Sequence, residues 1–312
     1  MTAALAPAVG GNATTSPQRH GRLALLLLSP TFIVLALVIV YPLVSAIRES
    51  LYQRQEGLDE NGFIVQGNKF VGIDNYSAIF TGETATRVWT AFYNTTFFTV
   101  IGVSIEVVLG VAMALVMHYA LRGKGLVRAS ILVPWAVPTA MSAILWQWIF
   151  QANGVANEIL GSQILWTTEG FQAKIAVLIA DTWKTAPFIG LLTLAGLQII
   201  SGEVYEAARV DGAGVPTQFF RITLPLCRPA LAALATLQVT WIYNEFYWAT
   251  VLMQSGDKFP ITSSLNNLRG QFFTDYNLLS AGSILVAIPV LVVFFLLQKQ
   301  FVAGLTLGAT KG

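Results

Sequence analysis

Between positions 241 and 248 the chain reads WIYNEFYW, and these residues are of a kind that could bind a polar ligand. Trp241, Asn244, Glu245 and Trp248 recur at three- and four-residue steps, as residues on one helix face do, with Tyr243 and Tyr247 beside them. Sugars present both C–H faces and hydroxyls, which suits aromatic planes next to amide or carboxylate acceptors. The other use of such a set is an interfacial aromatic belt, a role that fits Trp248 best. Tyr243, Asn244 and Glu245 are the residues expected to line a path. Glu106, Asp181 and Lys184 also fall within long apolar stretches, where ionisable groups are costly and are functional candidates by default. Asp181 and Lys184 stand three apart and can neutralise each other on one helix face. Glu106, in SIEVVLG, has no local partner and is expected to face another helix rather than lipid. A phosphorylated substrate would want Arg or Lys along its path. Only Lys184 is available, which favours a neutral sugar.

Bond-making chemistry has no comparable residues. His20 and His118 stand apart from each other and from the single cysteine, Cys227, so no metal-ligand spacing arises. No Ser/His/Asp arrangement can be argued. Gly123-Lys124-Gly125 is a basic turn and not a phosphate-binding loop. Any ATPase working with this chain must be another polypeptide.

The elements that must position these residues are apolar. Of 312 residues, 55% are hydrophobic and 11% charged, with a mean hydropathy of +0.64. Soluble domains carry about 25% charged residues. The net charge of +2, without a Lys/Arg run, gives no reason to expect nucleic acid. Six stretches, near 23–47, 92–121, 129–151, 173–200, 229–253 and 278–298, are long and apolar enough to cross about 30 Å of hydrocarbon. The first is too long for the apolar core of a secretory signal and is expected to remain as a span. The expected fold class is an all-α polytopic membrane protein of six transmembrane helices.

Basic residues set the expected orientation. With the N-terminus inside, cytoplasmic segments hold 10 of the 18 Lys and Arg residues, three of them in the short connection 122–128. Both termini are then cytoplasmic. Residues 1–22 read as a disordered tail, and 48–91 as an extracytoplasmic loop whose Gly and Asn suggest turns or a small strand pair. Residues 92–303 form a five-helix core, and 304–312 a second cytoplasmic tail.

The connection 201–228 is too long for an idle link. Ser201 can cap a short helix with Glu203 in its first turn. Gly212 is placed to end that helix in a left-handed conformation. A second helix is expected to start around Pro216, with Phe219, Phe220, Ile222 and Leu224 burying against the membrane domain. Pro225 and Pro229 are expected to break the chain before the next span. The product would be a rigid elbow in the cytoplasm.

Within it, Glu206-Ala207-Ala208, Gly212, Ile222 and Leu224-Pro225 match in type and spacing the EAA motif of binding-protein-dependent ABC importer permeases. The wider EAARVDGA…FFRITLP resembles the carbohydrate-uptake branch that includes maltose, trehalose and glycerol-phosphate systems. FVGIDNYSAIF, LVPWAVP, WKTAPF and YNEF resemble further family motifs, so the likeness covers nearly the whole chain. It implies a type I ABC importer permease fold in the plasma or inner membrane. The elbow would be the coupling helix, with Glu206, Ala207, Ala208, Asp211 and Gly212 in the cleft of an ATPase. The path residues would be Trp241, Tyr243, Asn244, Glu245 and Tyr247. Implied partners are a second, similar permease forming a heterodimer, two ATPase subunits carrying ATP and Mg, and an extracytoplasmic solute-binding protein that delivers the carbohydrate. No cofactor is expected in this chain. The 48–91 loop resembles the larger permease of such a pair, while FVAGLTLGATKG resembles the smaller one. Glycerol phosphate or a polyol is the alternative cargo. Rival functions are an ion-coupled secondary transporter, which would leave the EAA motif without a purpose, and a non-transport membrane scaffold; co-purification of an ATPase would separate all three.

Overall fold

The computed structural model describes residues 17–58, 64–119, 123–168, 170–244, 247–253, 259–264 and 275–306. Helix α1 (Pro17–Leu35), a π-turn (Ala36–Val40) and α2 (Tyr41–Ser50) form one long apolar rod. A hairpin follows, β1 (Tyr52–Leu58) paired antiparallel with β2 (Ile64–Phe70), its register set by Tyr52 opposite Phe70. After α3 (Asp74–Ile79) comes α4 (Gly82–Tyr119), which starts inside the segment 48–91 expected to be an extracytoplasmic loop. Next are α5 (Lys124–Ala136), α6 (Thr139–Ile149), α7 (Val155–Leu160) and α8 (Gly170–Leu197). The elbow consists of α9 (Gly202–Val210), α10 (Val215–Gln218) and a second π-turn (Phe219–Thr223). The chain finishes with α11 (Leu224–Tyr243), α12 (Tyr247–Leu252), α13 (Ile261–Ser264) and α14 (Tyr276–Thr306).

Among the described residues, five helices are long and apolar enough to cross a membrane, and the bent pair α5–α6 makes a sixth. The six expected spans are therefore present, but the third is not one rod. Its halves meet at 86°. Pro138 has no N–H to give Pro134, and it forces Val137 into an extended conformation (φ −69°, ψ 133°), so the hydrogen-bond ladder ends there.

The fifth span also differs from expectation. Its helix stops at Tyr243 and turns at Asn244, and a separate helix begins at Tyr247, with residues 245 and 246 outside the described residues. Nor do Pro225 and Pro229 break the chain, since both lie within α11. The π-turn before them absorbs the first proline. In both π-turns the third residue, Val38 or Arg221, lies four positions before a proline, Pro42 or Pro225. Proline cannot bond to that carbonyl and its ring crowds it, so the turn widens. At the far end α14 continues through Thr306, three residues into the expected tail, and 307–312 lie outside the described residues.

The core sits where α4 crosses α8, with α11 packed on α4 and α14 on α11 and α2. The two backbones meet at Gly110 and Gly190. A Cβ at Gly110 would lie 2.5 Å from Ile189 Cγ2, and one at Gly190 3.1 Å from Met113 Cβ. Small residues allow the close contact that drives helix association in lipid, where apolar side chains gain nothing by leaving the solvent.

Candidate functional site: an elbow and an intramembrane cavity

The elbow is fixed by local geometry. Asp211 caps α9 and Gly212 adopts φ +78°. Gly212 N–H donates to Arg209 O at 3.0 Å and Ala213 N–H to Ala208 O at 2.8 Å, the paired bonds of a Schellman motif. Ser201 occupies the N-cap position but makes no side-chain cap bond. Two braces, which the sequence reading missed, hold the elbow, one tying α10 to the link before it and one tying α9 to the π-turn. Gln218 Nε2 donates to Ala213 O at 2.7 Å, and Tyr205 Oη lies 3.1 Å from Thr223 Oγ1. Ala208 is buried, whereas Glu206, Ala207, Asp211 and Gly212 are exposed. Val210, Val215 and Phe220 are exposed beside them, so Phe220 does not bury against the bundle as expected.

Inside the bundle lies a cavity of about 640 Å³, walled by the α5–α6 break, α8, α11 and α12. Trp241 and Asn244 line it, as expected of a path. Tyr243 points elsewhere: it is buried in a separate cluster with Ala91, Ile261 and Val286. Tyr247 does not line the cavity, and Glu245 lies outside the described residues. Trp248, the residue assigned to an interfacial belt, is 1% exposed and sits in both the core and the cavity wall.

Three helices contribute residues that no single segment announces. Trp135 stacks on Phe188 (centroids 5.2 Å apart, planes at 13°), and Phe188 stacks on Trp241 (5.6 Å, 28°). Two of these rings, Trp135 and Trp241, line the cavity. Opposite chemistry comes from Asp181, Thr185, Gln238 and Thr240. The motifs containing Trp135 and Phe188 were visible in sequence. Their stacking was not, because it joins α5, α8 and α11. Gln238 could have been found as the polar residue one turn before Trp241 and Ile242.

Behind this wall Glu106 is wholly buried and accepts a hydrogen bond from Thr185 Oγ1. The Gln238 amide and Asp181 carboxyl also approach it. Glu106 thus faces a neighbouring helix, as its polarity demands. Lys184 departs from the simple ion pair expected with Asp181. Its Nζ donates to Val137 O at 2.5 Å and Trp135 O at 3.4 Å, with Asp181 near enough to act on it electrostatically. Along α11, Thr236, Thr240 and Asn244 each donate to the carbonyl four residues earlier, satisfying their own polarity within the helix. Among the described residues no group of His, Cys, Asp and Glu could hold a metal ion.

Residues 106–306 match the family described as the inner membrane component of binding-protein-dependent transport systems. The chain belongs to that family. The trehalose/maltose transport system permease MalF of Thermococcus litoralis is 34% identical over 88% of this chain and 91% of its own length. The trehalose transport system permease SugA of Mycobacterium tuberculosis is 32% identical over 96% and 95%. In structure, the chain resembles a permease from a bacterial ABC transporter that imports the acidic polysaccharide alginate, with a TM-score of 0.74 and 21% identity over 91% of this chain and 96% of that one. That likeness establishes the type I importer permease fold. This permease is a multi-pass membrane protein and not an enzyme, and ATP hydrolysis in its class belongs to partner subunits.

Proposed function

We propose that this permease carries a neutral sugar across the membrane through the cavity between α5, α8 and α11. The observation that carries the reading is an aromatic wall, Trp135 and Trp241 flanking Phe188, set beside Asp181, Thr185 and Gln238 in one intramembrane space. Its volume of about 640 Å³ falls in the range of small-molecule sites. Lys184, the one cationic residue among those lining the cavity, already gives donors to two backbone carbonyls and has Asp181 beside it, which weighs against glycerol phosphate as cargo. Relatives named for trehalose and maltose transport point the same way.

In this reading the elbow is the coupling element. Glu206 meets a basic residue in the cleft of an ATPase subunit, Ala207 allows close approach, and the exposed Val210, Val215 and Phe220 fill the apolar part of the contact. Both termini and the elbow face the cytoplasm, and the hairpin end faces out. A second permease, two ATPase subunits with ATP and Mg, and a sugar-loaded binding protein complete the importer. ATP binding draws the ATPase subunits together, moves the two elbows inward and turns the cavity toward the loaded binding protein.

The test is transport by the reconstituted complex. Trp241→Ala and Asn244→Ala should weaken apparent affinity for trehalose or maltose, each removing roughly 1–3 kcal/mol of contact, while assembly and basal ATP hydrolysis persist. Unchanged affinity in both variants would mean that these residues only pack.

A further inference from the structure

The break in the third span creates a problem that the chain solves from another helix. At the end of α5 the carbonyls of the last turn lose their i+4 donors, since Pro138 has no N–H and α6 leaves at 86°. Within a membrane-spanning bundle such carbonyls need a partner from the protein or from the cavity they line. A cation is favoured there because the C-terminal end of a helix carries partial negative charge. Lys184, 9% exposed, reaches from α8 to two of these carbonyls, Trp135 O and Val137 O. One turn further along α8, Phe188 stacks on the Trp135 ring. Two residues on one face of α8 therefore grip Trp135, one by its backbone and one by its indole.

We infer that Lys184 is a positioning residue for transport: it clamps the free carbonyls of the broken third span and thereby holds Trp135 in the cavity wall. It does not read the cargo with its charge. The inference rests on the reading of the cavity as a sugar path, and it assigns substrate selection to the wall that Lys184 fixes.

Two measurements on the full complex test it. The first needs no substrate. Nitroxides at Gly125→Cys and Gln151→Cys, with Cys227→Ser, report the distance across the bend by electron–electron resonance. Lys184→Met should broaden and shift that distribution, and Lys184→Arg should restore it. An unchanged distribution in Lys184→Met would overturn the clamp. The second is KM for trehalose and for maltose uptake in proteoliposomes. Trp135→Ala and Lys184→Met should each raise KM about tenfold, and the double variant no further, because both remove the same wall. Additive losses would place Lys184 on the sugar and overturn the inference. Should Lys184→Met fail to assemble, Lys184→Arg decides: parental distances and KM support the clamp, and values like those of Trp135→Ala overturn it. A Trp135→Ala variant with parental KM for both sugars would sink the sugar reading alone, with the distance measurement still deciding the clamp.

Discussion

The elbow and the cavity are both polar regions of an apolar chain, yet they are held in opposite ways. In the elbow, Gly212, Ala213 and Gln218 satisfy groups within a few residues of themselves, and the longest brace, Tyr205 to Thr223, stays within the same connection. In the cavity wall, Lys184 answers carbonyls 47 and 49 positions away and Thr185 a carboxylate 79 away. Water explains the difference. In the proposed orientation the elbow lies outside the membrane and can leave Glu206 and Asp211 to solvent, so local turn chemistry is enough to shape it. Among lipid-facing helices a hydroxyl such as Thr236 or Thr240 can bond back to its own helix, but a charged group such as Lys184 or Glu106 is met by a partner from another one.

The sharpest way to break this contrast is at the elbow's left-handed turn. Gly212→Val would force a β-branched residue to φ +78°, at a cost of at least about 1–2 kcal/mol, and the elbow should rebuild out of alignment. Insertion and bundle stability should stay parental, while ATP hydrolysis stimulated by loaded binding protein is lost along with uptake. Purified complexes assayed with and without that protein would show it. Parental stimulation would mean that the segment is not the coupling element.

The complementary change lies at the helix crossing. Gly110→Val places atoms where Ile189 already stands, 2.5 Å from the first added carbon, and should push α4 from α8 at a cost of about 1–3 kcal/mol. Thermal unfolding in detergent should fall, and transport with it. The elbow variant should not move that transition. If the two variants gave the same stability profile, the elbow and bundle would be one cooperative unit and the contrast would fail.

The smallest effect sharpens the picture further. Tyr205→Phe removes one hydrogen bond between α9 and the π-turn, worth about 0.5–1.5 kcal/mol. It should lower stimulated hydrolysis only partly and leave sugar affinity unchanged. A change in sugar affinity would show that the elbow shapes the cavity even at rest.

This division also explains what could be read in advance. Gly212, Pro216 and the EAA pattern announce the elbow because its contacts are consecutive in sequence. Trp241 and Asn244 were legible as helix-face neighbours, but the place of Tyr243 was not, because its partners Ala91, Ile261 and Val286 come from distant segments. The third span read as one rod, since its apolar length hides the consequence of Pro134 and Pro138 standing four apart. Lys184 and Asp181 looked sufficient for each other in sequence. The carbonyls that engage Lys184 exist only because the span is bent.

The π-turn Phe219–Thr223 has a consequence of its own, one of azimuth. Each helical residue advances the chain by about 100° around the axis, and a π-turn holds one residue more than the α-turn it replaces. The elbow joins α11 through this turn alone, so that extra residue sets the compass bearing of Glu206 relative to Gln238 and Trp241. Deleting a single residue there would shorten the chain by little but swing the elbow about 100° around α11. The bearing is kept by Pro225, whose missing N–H prevents the turn from closing into a regular one.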